Sequence, residues 1–216
     1  MKIQPNIRNI IFDLGGVLCG LSSERCIAAL HQIGADAIAF YVEEHRVEDL
    51  FLQAELGKIS TREFCDEVRR ISGKDLSDES IVWAWNELLT GISHERRARL
   101  LSLSRRYRLF ILSNTNDMHW QKCAREFFPY CPAPDTPEED CRMYGVDDYF
   151  DKVFLSYQLQ LAKPSEEIFH RVLTDAGLEA SETLFIDDSK VNCEAAGRLG
   201  IQTFHNEHID DWLAWT

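Results

Sequence analysis

Short apolar runs that stop abruptly at a polar group set the rhythm of this chain. Ile10-Ile11-Phe12, Leu109-Phe110-Ile111-Leu112, Val153-Phe154-Leu155, Leu184-Phe185-Ile186 and the stretch from Ile201 to Phe204 are too short for stable helices. Such runs, bounded by turn residues, predict buried strands. Helical patterns fill the intervals: Ser93 to Arg106, about Asn116 to Phe128, Lys163-Pro164 to about Ala176, and the segment leading to Leu199. A closing amphipathic turn is expected from Asp210 to Trp215. Strands that alternate with helices in this way predict an α/β architecture, a parallel sheet with helices on both faces.

One region breaks the alternation. Between residues 20 and 90 no convincing strand is found. A helix is expected from Ser22 to Ile33, followed by apolar positions Phe40, Val47, Leu50, Phe51, Ala54 and Leu56 at three-to-four spacing. Gly57 interrupts the pattern, and Ser60-Thr61-Arg62-Glu63 has the form of a capping box opening a helix that ends at Gly73. Another helix is predicted from about Asp78 through Trp83 and Trp85 to Gly91. The chain is therefore divided into a core, residues 1–19 and 91–216, and an inserted all-helical domain, residues 20–90. Trp83, Trp85 and Phe51 read as packing residues, and alternatively as the lining of a slot between the two parts.

Composition narrows the partners. A net charge of -13 over 216 residues offers no basic field for a nucleic acid or an anionic membrane surface. No run approaches the length needed to span a bilayer, and the start of the chain carries no leader pattern. The seven cysteines contain no Cys-x-x-Cys pair and read mostly as buried thiols of a cytoplasmic protein. Residues 129–145, with four prolines and an acidic cluster at Glu138, Glu139 and Asp140, read as a surface loop. The histidines His45, His94, His119, His205 and His208 read as surface or capping groups.

Candidate chemistry lies where the strands end. Asp13, Ser113-Asn114 and Asp187-Asp188 each follow an apolar strand directly, and Lys163 opens a helix a few residues past another. In a parallel sheet the C-terminal strand ends share one edge, so these groups converge. Three crowded carboxylates repel unless a cation neutralises them, and a donor set of oxygens alone favours Mg2+. A carboxylate beside that ion can attack phosphorus, Ser113 and Asn114 can bind phosphate oxygens, and Lys163 can balance the transferring charge. Asn192, four residues past Asp188, faces the same helix N-terminus.

These four segments, Phe12-Asp13-Leu14-Gly15-Gly16-Val17, Leu112-Ser113-Asn114-Thr115, Ala162-Lys163-Pro164 and Phe185-Ile186-Asp187-Asp188-Ser189, resemble the four motifs of the haloacid dehalogenase-like (HAD-like) hydrolase superfamily, most of whose members are Mg-dependent phosphatases. The resemblance implies a Rossmann-like core with a helical cap inserted after the first motif. It implies Asp13 as nucleophile, Ser113, Asn114 and Lys163 as the phosphate site, and Asp13, the carbonyl of Gly15, Asp187 and Asp188 as Mg2+ ligands. The substrate it implies is a small phosphorylated metabolite, with the oligomeric state left open.

One departure stands out. Phosphatases of this superfamily usually carry a second aspartate two residues after the nucleophile as general acid and base, and this chain has Gly15 there. That help is typically worth about 100- to 10,000-fold in rate. The Asp-Leu-Gly form resembles a subgroup that includes sugar-1-phosphate phosphatases, whose leaving oxygen is comparatively acidic. Two rivals stay open: a phosphate-binding or regulatory protein that has lost catalysis, and a 2-haloacid dehalogenase, which needs no metal.

Overall fold

The computed structural model describes residues 3–44, 49–132 and 142–214. Its seven strands are, in chain order, β1 (Asn9–Phe12), β2 (Gly20–Leu21), β3 (Leu89–Gly91), β4 (Arg108–Ser113), β5 (Lys152–Leu155), β6 (Thr183–Asp187) and β7 (Gln202–His205). Five of them form a parallel sheet in the order β5-β4-β1-β6-β7. β1 takes the centre, with Phe12 paired to Ile111 on one side and Ile186 on the other. Side chains alternate across the pleat. Ile10, Phe12, Ile111 and Ile186 join one buried cluster, while Ile11, Phe110, Leu112 and Phe185 join a second on the opposite face.

Helices α1 (Ser23–Ile33), α2 (Asp36–Glu43), α3 (Asp49–Glu55), α4 (Thr61–Ser72) and α5 (Asp78–Asn86) follow β2 and pack around a third cluster that includes Ile38, Phe64, Val68 and Trp85. Local chemistry sets their limits: the Ser60–Glu63 capping box opens α4 as the sequence predicts, and Ser22 and Ser77 cap α1 and α5. The core then continues with α6 (His94–Ser104), α7 (Asp117–Lys122), α8 (Val146–Tyr149), α9 (Ser156–Leu159), α10 (Glu166–Ala176) and α11 (Lys190–Arg198).

Several expectations need correcting. The helical region is not free of strands at its ends, because Gly20 and Leu21 pair antiparallel with Gly91 and Leu89. Two strands of two and three residues carry too few apolar positions to show a period. The helix expected from Asn116 to Phe128 is α7 followed by a π-helical turn over Cys123–Phe127, closed by the Phe128 amide on the Cys123 carbonyl at 3.0 Å. Lys163-Pro164 does not open α10. The peptide between them is cis, and Ser165 caps the helix two residues later. The Lys163 backbone is instead held by the Asn114 side chain, which takes it out of the helical register.

Five of the cysteines, Cys19, Cys26, Cys65, Cys123 and Cys193, are free and buried, whereas Cys131 is disulfide-bonded. The backbones of Tyr130 and Tyr144 exchange hydrogen bonds of 3.0 and 2.8 Å, so the two ends of the proline-rich loop meet. The loop itself, residues 133–141, lies outside the described residues, as does His45. Among the described residues no helix is long and apolar enough to cross a membrane.

Candidate active site

The strand ends converge as parallel topology requires. Asp13 continues the ladder past β1, its amide donating to the Ile186 carbonyl at 2.8 Å. Its Oδ1 accepts from the Leu14 amide at 2.7 Å and sits 2.9 Å from the Lys163 ammonium. That ammonium also donates to Asp187 Oδ2 at 2.6 Å and to the Leu112 carbonyl at 3.0 Å. Lys163 and Asp187 are buried, and Asp13 nearly so. Lys163 is in direct contact with both Asp13 and Asp187. In a low-dielectric site opposite charges draw into contact.

Lys163 and Asp187 are positioned by neutral groups. Asn114 donates its side-chain amide to the Lys163 carbonyl at 2.9 Å and accepts the Lys163 amide at 2.9 Å, tying the second motif to the third. Asp187 Oδ1 accepts from the Ser189 amide at 2.8 Å and from Asn192 at 3.0 Å, so Asn192 does steady this carboxylate. Ser113 is buried at the end of β4. Burial pushes the Asp13 carboxyl above the ordinary carboxylate range, against the pull of Lys163. Burial alone would lower Lys163, but Asp13 and Asp187 outweigh it and the net shift is upward. Asp188 is raised by burial and by Asp187.

These groups fit a hard divalent cation. Oxygens of Asp13, Asp187 and Asp188 lie within 4.8 Å of one another. Three carboxylates against the one ammonium of Lys163 leave a formal charge of -2. An all-oxygen donor set of that charge suits Mg2+ rather than a soft metal. Gly16 makes room for it: φ is +72°, and a Cβ there would lie 2.1 Å from Asp188 Oδ2. At Gly15 the backbone is ordinary, and a Cβ would meet only the Leu21 side chain, at 3.1 Å.

Above this edge lies a cavity of about 430 Å³ between the helical region and the sheet. Leu14, Gly15, Ser113, Asn114 and Thr115 form its floor, and Tyr41, Phe51, Glu55, Trp85 and Leu88 face them. Phe51 and Trp85 therefore line a slot, while Trp83 is exposed. His119 is not the surface group that the sequence suggests. It is buried on α7 and stacked on Trp85, with ring centroids 5.3 Å apart. Its Nε2 faces the Trp85 carbonyl at 3.2 Å and its Nδ1 faces the Asn116 amide at 3.2 Å. A carbonyl only accepts, so the proton is on Nε2 and the ring is neutral. Burial lowers its pKa to about 4.

Sequence reasoning missed His119, Ser156 and Glu55. Ser156 Oγ accepts the Thr115 amide at 2.9 Å and donates to the Glu55 carbonyl at 2.6 Å, joining α9, the second motif and α3. The close approach continues at Gly57, where φ is +61° and a Cβ would lie 1.9 Å from the Tyr157 carbonyl. Burial raises the Glu55 carboxyl, partly offset by Lys163. Only the breaker Gly57 is visible as a signal in sequence.

The profile of the haloacid dehalogenase-like hydrolases matches residues 7–200, and the chain belongs to that family of enzymes. Among curated proteins it is similar to a D-ribitol-5-phosphate phosphatase of Bacteroides thetaiotaomicron, 32% identical over 95% of either chain. A HAD family enzyme of the same organism, solved in complex with magnesium and inorganic phosphate, superposes with a TM-score of 0.83 at 43% identity over 92% of this chain and 93% of that one. A HAD-like hydrolase from Porphyromonas gingivalis gives 0.80 at 37% identity, covering 95% and 94%. An L-2-haloacid dehalogenase of Xanthobacter autotrophicus, 17% identical with a TM-score of 0.58, shares the fold alone.

Proposed function

We propose that this protein is a Mg-dependent phosphatase of small phosphorylated metabolites, sugar or polyol phosphates, acting through an aspartyl-phosphate on Asp13. The observation that carries this reading is the convergence of Asp13, Asp187 and Asp188 within 4.8 Å, with Lys163 2.9 Å from Asp13. The relatives named for D-ribitol 5-phosphate and for bound magnesium and phosphate support it. In this reading residues 20–90 are the cap and residues 1–19 and 91–216 the catalytic core. A cytoplasmic location belongs to this reading: the five free, buried thiols weigh toward it and the Cys131 disulfide weighs against it.

Asp13, the Gly15 carbonyl, Asp187 and Asp188 would hold Mg2+. When bound, the ion supplies positive charge that lets a carboxylate and a phosphate dianion meet. Both protein contacts to Asp13 fall on Oδ1, which leaves Oδ2 to attack phosphorus. Lys163 balances charge on the transferring group, with Ser113 and Asn114 donating to its oxygens. Asn114 has a second task, since one of its N–H bonds already holds the Lys163 loop. The three clustered carboxylates favour metal-assisted phosphoryl transfer over dehalogenation.

The test is phosphate release from a panel of p-nitrophenyl phosphate, D-ribitol 5-phosphate and sugar 1-phosphates, with Mg2+ and with EDTA. Turnover is expected only with the metal, and Asp13→Asn should lower kcat roughly 10⁴-fold or more, as loss of a nucleophile does. Phosphate binding without turnover across the whole panel would replace this reading with that of a lapsed, phosphate-binding protein. The substrate ranking decides between an anomeric phosphate and the phosphate of a primary alcohol.

A further inference from the structure

On the phosphatase reading above, the proton that the leaving alcohol needs has no donor at position 15, where a glycine stands. The cavity over the motif edge contains one carboxylate among its described lining residues, Glu55 at the C-terminal end of α3. It shares that cavity with Gly15, Ser113 and Asn114, so it faces the region where a leaving group would sit. The surrounding wall is largely apolar, with Phe51, Trp85 and Leu88 beside it.

The position of Glu55 is fixed rather than incidental. Its carbonyl accepts the Ser156 hydroxyl at 2.6 Å, and the same hydroxyl oxygen accepts the Thr115 amide two residues past Ser113. Two residues on, Gly57 packs directly on the Tyr157 carbonyl. The turn after α3 is thus held against the loop that carries the second motif. Within the described residues neither a hydrogen bond nor an ion pair engages the Glu55 carboxyl group, so its oxygens remain available.

We propose that Glu55, delivered by the helical region, is the general acid and base that stands in for the missing second aspartate. In the first step Asp13 Oδ2 forms a bond to phosphorus, the bond from phosphorus to the substrate oxygen breaks, and the Glu55 carboxylic acid gives its proton to that oxygen. In the second step the Glu55 carboxylate takes a proton from water, the water oxygen bonds to phosphorus, and the Asp13–phosphorus bond breaks. Phosphate leaves, with Asp13 ionised and Glu55 protonated as at the start.

Leaving-group dependence tests the assignment. p-Nitrophenolate departs without protonation, whereas the alkoxide of D-ribitol 5-phosphate does not. Glu55→Gln is expected to lower kcat/KM for D-ribitol 5-phosphate about 100- to 10,000-fold while kcat/KM for p-nitrophenyl phosphate changes by less than about fivefold, its kcat falling where hydrolysis of the aspartyl-phosphate limits turnover. Gly15→Asp added to Glu55→Gln should recover part of the loss, since the atoms nearest the new Cβ belong to the Leu21 side chain, whose end can shift. Equal losses of kcat/KM on both substrates, no loss on either, or a raised KM with unchanged kcat would overturn it. A measurement without variants stands beside these. Across a series of aryl and alkyl phosphates the native chain should show a shallow dependence on leaving-group basicity, and a steep fall counts against any proton donor. If the native chain turns over no phosphate ester, the phosphatase reading falls and this assignment with it. If native turnover persists and only the discrimination is missing, the assignment alone fails.

Discussion

The sheet edge and the helical face above it solve opposite problems. At the edge the buried charges are held in contact: Lys163 touches Asp13, Asp187 and the Leu112 carbonyl, and Asp187 also takes the Ser189 amide and Asn192. Across the cavity Glu55 sits among Phe51, Trp85 and Leu88 with its carboxyl group unengaged within the described residues. A saturated network fixes geometry, which a metal and a phosphate demand. A lone acid in an apolar wall keeps its proton exchangeable and lets the partner decide its use.

The largest effect expected of breaking this contrast is at Lys163. Lys163→Met leaves Asp13 and Asp187 buried together without their ammonium, and should cost about 3–5 kcal/mol in urea unfolding with chelator present. Mg2+ should return part of it, because the ion replaces the lost charge. Glu55→Gln in the same assay should move stability by less than about 1 kcal/mol, since within the described residues its carboxyl group makes no hydrogen bond or ion pair. Comparable losses at the two positions would erase the distinction between edge and helical face.

His119 bridges the two regions and gives the next effect. Its pKa in the folded chain is about 4, below an unfolded value near 6.5, so the unfolded chain binds the proton more tightly. Its contribution is therefore intact above about pH 6.5 and is lost as pH falls toward 4, by up to about 3 kcal/mol. Unfolding followed from pH 7 to 4.5 should show a flatter slope in His119→Gln than in the native chain. The smallest effect is local. Ser60→Ala removes the side-chain cap of α4, outside the lining of the active-site cavity, and should cost about 1 kcal/mol with phosphate turnover little changed.

The edge was legible for a structural reason. Asp13, Ser113 and Asp187 each directly follow an apolar run, and parallel pairing leaves such residues nowhere else to go. The capping box at Ser60 and the helical nature of α1 to α5 were legible too, because capping and periodicity act over a few residues. The ribbon of β2 and β3 was not, being too short to show a period. Neither was Lys163 as a residue outside its helix, since the contact that withholds it comes from Asn114, 49 positions away.

Sequence alone determined the central sheet, the order of its motifs and the gathering of three acids and a lysine at one end, because strand polarity converts position along a strand into position in space. Tertiary structure decided that His119 is buried and neutral, that Ser156 holds the turn after α3, and that Glu55 faces the cavity. Those outcomes depend on how one packed layer meets another, and such contacts join residues about a hundred positions apart, as Ser156 and Glu55 are. No local pattern carries that information.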